Sequence, residues 1–205
     1  YIYRINHVYL CRAYRCNIVE LENKNIQVPE GITEIWQRIV DSLAIFLSVP
    51  CVMINRLDPP ELEVFRSNTG QDGLLSAGRR MPMDGLYCTD VAVRRQNLRV
   101  NGAESGPRRA GSPASKTGII AYLGVPLQWP DGVVFGTLCA VDTSRKEWDD
   151  KAENLLRTLR DVIESHLYLI MNGGDLSAAG LELEPALNEV LTLHGFIPVE
   201  PGTEI

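Results

Sequence analysis

From Ile32 the apolar positions recur at three- and four-residue steps: Ile35, Trp36, Ile39, Val40, Leu43, Phe46 and Leu47. That period predicts an α-helix with one buried side, and Pro50 predicts its end. The pattern then changes. Cys51 to Leu57 is an apolar run, and beyond Pro59-Pro60 the residues Leu62 and Val64 alternate with Glu61 and Glu63. Two strands joined by a Pro-rich turn fit that spacing. A Gly-rich passage runs from Gly70 to Gly85. Leu86 to Gln96 follows as a short helix and Leu98 to Val100 as a short strand.

Asn101 to Thr117 mixes Gly, Pro, Ser and Arg and reads as a loop. Ile119 to Leu127 and Val133 to Val141 are the two strongest strands. Pro130-Asp131-Gly132 turns one into the other, because Pro presets φ and Gly accepts a positive φ. A long helix starts near Asp149, where Asp150 and Glu153 have capping-box spacing. Its apolar residues make two stripes. Leu155, Leu159, Val162, His166 and Leu169 form one; Leu156, Ile163, Leu167 and Ile170 form the other. One stripe can cover a sheet while the second meets another helix, in the same chain or across a homodimer. Gly173-Gly174 ends the helix, and a last short helix spans Leu183 to Leu193. Residues 1–30 have no clean period and read as an N-terminal extension. Residues 31–171 are the folded domain, and 172–205 a C-terminal extension. Hairpins dominate, with helices at the ends and middle, so the fold class is α+β with one antiparallel sheet.

Composition bounds the function. The 205 residues are 45% hydrophobic and 22% charged, a globular balance. No apolar run nears the roughly 18 residues of a spanning helix, so no membrane role is expected. The chain starts at Tyr1 without Met and reads as an excised fragment. Its net charge of −6 argues against nucleic acid as a partner. Charge is uneven, however. Between Arg79 and Lys116 eight basic residues face three acidic ones, a local surplus suited to an anionic ligand. Five cysteines are odd in number, scattered and free of CxxC pairs, which fits a reducing cytoplasm rather than a disulfide framework. Cys51 and Cys139 sit in apolar runs and read as small core residues. His7, His166 and His194 are too dispersed to suggest a metal site. Gly102, Gly106 and Gly111 do not make a phosphate-binding loop. No cofactor is expected.

Several blocks resemble a GAF domain. They are Gly85-Leu86-Tyr87-Cys88, Leu98-Arg99-Val100 and Tyr122-Leu123-Gly124-Val125-Pro126-Leu127, then Trp129-Pro130-Asp131-Gly132 and Phe135-Gly136-Thr137-Leu138-Cys139-Ala140-Val141-Asp142. They stand in family order, and the resemblance covers Gly31 to Met171. It is nearest to the sensor modules of bacterial diguanylate cyclases and hybrid histidine kinases. It implies a central antiparallel sheet of about six strands. The first and last helices would lie on one face, often as a homodimer, with a pocket under a short helix and a loop on the other. The chain departs from the pattern. Gly102, with Asn101 beside it, stands where the family often has Asp or Asn. Gly106-Pro107 and Arg109 replace an Asp-Pro and a nearby Trp. The usual ligand contacts are therefore lost, or exchanged for arginines.

The expected function is a cytoplasmic, non-catalytic sensory module that binds a small anionic or zwitterionic ligand and signals through its terminal helices. Tyr87 and Tyr122 would supply pocket walls with polar tips. Asn101 and Ser115 would give neutral hydrogen bonds. Arg99, Arg109 or Lys116 would meet a carboxylate or phosphate. Cys88 stands where free methionine sulfoxide reductases of the family have a cysteine, which keeps a reductase as an alternative. Against it, neither Gly78 to Met83 nor Ser112 to Gly118 holds a companion cysteine. A ligand-free dimerisation module is the other alternative. A bilin photoreceptor is not expected, because Cys51, Cys88 and Cys139 are followed by Val, Thr and Ala rather than His.

Overall fold

The computed structural model describes residues 2–5, 8–11, 24–70, 75–102 and 118–173. The long loop's residues 103–117 and the expected Leu183–Leu193 helix lie outside them. The N-terminal stretch that showed no period contains two short antiparallel strands, β1 (Ile2–Ile5) and β2 (Val8–Cys11), paired only with each other. Helix α1 (Glu30–Leu47) follows Pro29. It ends three residues before Pro50, with Ser48 left-handed at φ 50° and the Ser48 and Val49 N–H groups closing on Ile45 and Ala44 carbonyls.

Six strands form one antiparallel sheet. They are β3 (Cys51–Asp58), β4 (Glu61–Ser67), β5 (Arg80–Pro82), β6 (Leu98–Val100), β7 (Ala121–Gln128) and β8 (Val134–Asp142). Their spatial order is β5-β4-β3-β8-β7-β6. The edge strand β5 fell inside the Gly-rich passage and gave no alternation to read. Three residues with an Arg and a Pro suit an edge that needs to pair on one side only. Helix α2 (Tyr87–Arg94) lies on one face of the sheet; α1 and α3 (Asp150–Asn172) lie on the other.

Period two divides the strands between two cores. Val52, Ile54, Leu123, Val125, Leu138 and Ala140 face α1 and α3; Cys51, Met53, Tyr122, Cys139 and Val141 face α2. All nine residues of β8 are buried, as a central strand covered on both faces requires. At the middle of the helix-side core Trp36 meets Phe65 and Phe135 edge-on, with centroids 5.8 and 5.6 Å apart. Phe65 is the extra residue at a bulge, since Ile54 pairs with Arg66 and Asn55 with Val64. Both stripes of α3 are mostly used within the domain. Leu155, Leu156, Leu159, Ile163, His166 and Leu167 are buried, whereas Tyr168 and Met171 are exposed.

The start of α3 corrects one expectation. Asp149, not Asp150, is the N-cap, and its carboxylate accepts from Ala152 N at 2.8 Å. Glu153 does not reach back to the cap. It takes Arg99 Nε at 3.2 Å, Arg99 Nη2 at 2.5 Å and Asn97 Nδ2 at 2.9 Å.

Two contacts here have measurable consequences. Trp36 Nε1 donates to His166 Nδ1 at 2.9 Å, so the ring proton sits on Nε2, which is buried without a partner. A second proton would have to go on Nδ1 and break the Trp36 bond. Burial lowers the His166 pKa to about 4. Below pH 6.5 the unfolded chain takes up that proton and the folded one does not, so stability falls with pH until about 4. Denaturant titrations should show about 2 kcal/mol less stability at pH 5 than at pH 7, and His166→Asn should remove most of that slope. The second contact is at Gly124. A Cβ there would lie 2.3 Å from the Tyr122 hydroxyl and 2.6 Å from its ring. Gly124 is thus the floor on which Tyr122 lies. Gly124→Ala should destabilise by about 1–3 kcal/mol through overpacking, and Tyr122→Ala in the same chain should recover part of that cost.

Candidate functional site

The α2-side core is not fully filled. Between the sheet and α2 lies a cleft of about 410 Å³, counting its open side. Its apolar wall comes from Met53, Leu62, Val64, Leu75, Met81, Leu86, Ile119 and Val141. Its polar atoms belong to Asn55, Tyr87, Cys88 and Tyr122. Tyr87 and Tyr122 stack at a tilt with centroids 4.9 Å apart. Among the described lining residues there is no carboxylate, imidazole, ammonium or guanidinium.

The sheet register builds the floor. Met53 pairs with Cys139 and Asn55 with Thr137 across β3 and β8; Gly124 pairs with Cys139 across β7 and β8. Asn55 Nδ2 lies 3.2 Å from Thr137 Oγ1, 3.3 Å from Cys139 Sγ and 3.4 Å from Cys88 Sγ. Its Oδ1 is buried with no hydrogen-bond partner. An unpaired buried acceptor carries a desolvation cost that a donor on a ligand or water would remove. The Tyr122 hydroxyl, resting over Gly124, donates to Cys88 Sγ at 3.5 Å.

These contacts separate the three cysteines. Cys88 lies in the first turn of α2, and its pKa is lowered to about 7. The hydrogen bond with Cys139 is the main cause, with Tyr122 and Thr137 adding to it and burial opposing it. Cys139 moves well above the usual thiol range, through the same bond and burial. Burial pushes Cys51 up to about 12. Tyr122 is also raised by burial, so its phenol stays a donor.

Of the expected site residues, Tyr87, Cys88 and Tyr122 do come together in the cleft. Arg99 and Asn101 do not. Alternation on β6 sends Arg99 to the other side, where Nη2 meets Asp150 at 2.9 Å and Nη1 meets the Trp148 carbonyl at 3.0 Å, besides the Glu153 pair. Asn101 Nδ2 donates to Glu147 at 2.7 Å, and its Oδ1 accepts from Trp148 N at 3.4 Å. Both fasten the lead-in of α3 to β6. Their neighbours are acidic, and local charge surplus could not distinguish such ion pairs from an anion site. Arg109, Ser115 and Lys116 lie outside the described residues. Asn55 was missed, although an amide on the same strand face as Met53 and Leu57 is a legible signal. Cys139 was rightly read as buried, but its closeness to Cys88, 51 residues away, comes only with the fold.

Comparison with known proteins agrees with this architecture. The model of the GAF domain family matches residues 31–167. The GAF domain of an Acinetobacter phosphoenolpyruvate-protein phosphotransferase superposes with TM-score 0.53 at 18% identity, covering 64% of this chain and 78% of that one. The free methionine-R-sulfoxide reductase of Neisseria meningitidis, solved with its substrate, gives 0.52 at 17%, covering 64% and 74%. At such identities the likeness is one of fold. Diguanylate cyclase DgcP of Escherichia coli K12 is 33% identical over 54 residues, which is 26% of this chain and 16% of that protein. Among the described residues no helix is long and apolar enough to cross a membrane. With its family's model matched over two thirds of its length and the six-stranded sheet in place, this chain belongs to the GAF domain family.

Proposed function

We propose that this chain is the ligand-binding sensory module of a signalling protein, with the α2-side cleft as its site. The observation that carries the reading is the cleft itself, an apolar wall around a few convergent polar atoms, the usual build of a small-molecule site. The ligand is small and weakly polar, and it donates a hydrogen bond to Asn55 Oδ1. An acidic group on it would have to meet Arg109 or Lys116, since Arg99 is engaged with Asp150 and Glu153. The amide and phenols of the lining, with no carboxylate, imidazole or ammonium among its described residues, support binding rather than acid–base catalysis.

Output would pass through the sheet. Met53 and Asn55 face the cleft while Val52 and Ile54 on the same strand face α1 and α3. A shift of β3 therefore reaches both terminal helices. A second copy of the chain, the partner expected at those helices, would use what remains exposed there: Ile45, Phe46, Tyr168 and Met171.

A calorimetric screen of nucleobases, amino-acid derivatives and small aromatic alcohols tests the proposal. A binder should lose about 1–3 kcal/mol against Asn55→Leu and nothing against Arg99→Ala. Free methionine sulfoxide should not be turned over. Affinity lost with Arg99→Ala but kept with Asn55→Leu, or Cys88-dependent sulfoxide turnover, would overturn this reading.

A further inference from the structure

Cys88 and Cys139 are positioned for chemistry that ligand binding does not use. Their sulfurs are 3.9 Å apart, one on α2 and one on the sheet. A disulfide needs about 2.05 Å, so closing it asks for a modest approach of α2 to β8. Cys88 lines the cleft whereas Cys139 lies behind it, fully buried. An oxidant entering the cleft therefore meets Cys88 first. The cleft is open on one side, so a small oxidant can approach the Cys88 sulfur that lines it.

We propose that Cys88 and Cys139 form a dithiol that hydrogen peroxide converts to a disulfide, tying α2 to the sheet floor. The Cys88 thiolate attacks one peroxide oxygen, the O–O bond breaks, and the leaving hydroxide takes up a proton to become water. Cys88 is then a sulfenic acid. Cys139 sulfur attacks Cys88 sulfur, the S–O bond breaks, a second water leaves with the Cys139 proton, and the S–S bond forms. Two thiols are oxidised by two electrons and one peroxide is reduced to two waters. The donors at Asn55 and Tyr122 favour thiolate at Cys88. Its lowered pKa agrees with this, and the raised pKa of Cys51 leaves that third thiol a bystander.

The test is peroxide titration of the full chain, followed by thiol counting and non-reducing peptide mapping. The expected result is loss of two thiols per chain and one Cys88–Cys139 cross-linked peptide. Cys51→Ser should leave that product unchanged. Cys139→Ser should stop at a Cys88 sulfenic acid that dimedone traps. A crosslink through Cys51, oxidation confined to Cys11 and Cys16, or no thiol loss while the denatured chain reacts fully would each overturn the proposal. The wild-type map decides the matter if a variant fails to fold. The outcome is independent of ligand binding, which is measured on the reduced chain.

Discussion

A strand covered on both faces has to serve two cores at once, and β8 does so along its whole length. Alternate residues of β3, β7 and the second half of β8 serve the helix-side core and the α2 side, and the phase on β8 changes at an irregularity where Phe135 joins the helix-side core. The two cores are unequal. Two long helices cover the first, and its aromatic centre of Trp36, Phe65, Phe135 and Trp129 closes it. Among the described residues one eight-residue helix covers the second, and the cleft lies beside it. The cleft is a consequence of that imbalance.

What fills the gap's floor is polar, and its arrangement is forced. Tyr122 can reach Cys88 only because Gly124 offers no side chain beneath its ring. Gly136 on β8 has a different part: a Cβ there would lie 1.7 Å from the Asn55 backbone carbonyl oxygen, so only glycine lets the β3 backbone approach so closely. Buried polar groups are costly unless paired. Here Asn55, Thr137, Cys139, Cys88 and Tyr122 partner one another, and Asn55 Oδ1 is buried without a hydrogen-bond partner.

Much of the fold was legible because its elements follow strong periods. The α1 stripe except for the exposed Phe46, the β7–β8 hairpin with its Pro130-Asp131-Gly132 turn, and the Leu98–Val100 strand lie where the pattern placed them. Strand β5 was not legible, because three edge residues have no period. The site was half legible. Tyr87, Cys88 and Tyr122 are apolar-bodied residues within readable elements. Arg99 lies away from the cleft because charge composition carries no direction, whereas strand alternation does, and Asn101, just past β6, is engaged by Glu147 and Trp148. Glu153 was the available clue. A carboxylate in the first turn of a helix is a ready partner for a nearby cation, and Arg99 takes that place. The juxtaposition of Cys51, Cys88 and Cys139 was beyond sequence reasoning, since it depends on the β3–β8 pairing and on α2 packing against the sheet.

A small molecule in the cleft would act on the α2 face, whereas the terminal helices lie on the opposite face of the sheet. The chain's four methionines report on this directly. Met53 and Met81 line the cleft, Met83 is buried in the same core, and Met171 is exposed at the end of α3. Methyl NMR of methionine-labelled protein titrated with a fragment library should show saturable shifts at Met53 and Met81 and a much smaller one at Met171. Binding that shifts Met171 while leaving Met53 and Met81 unmoved would contradict the account.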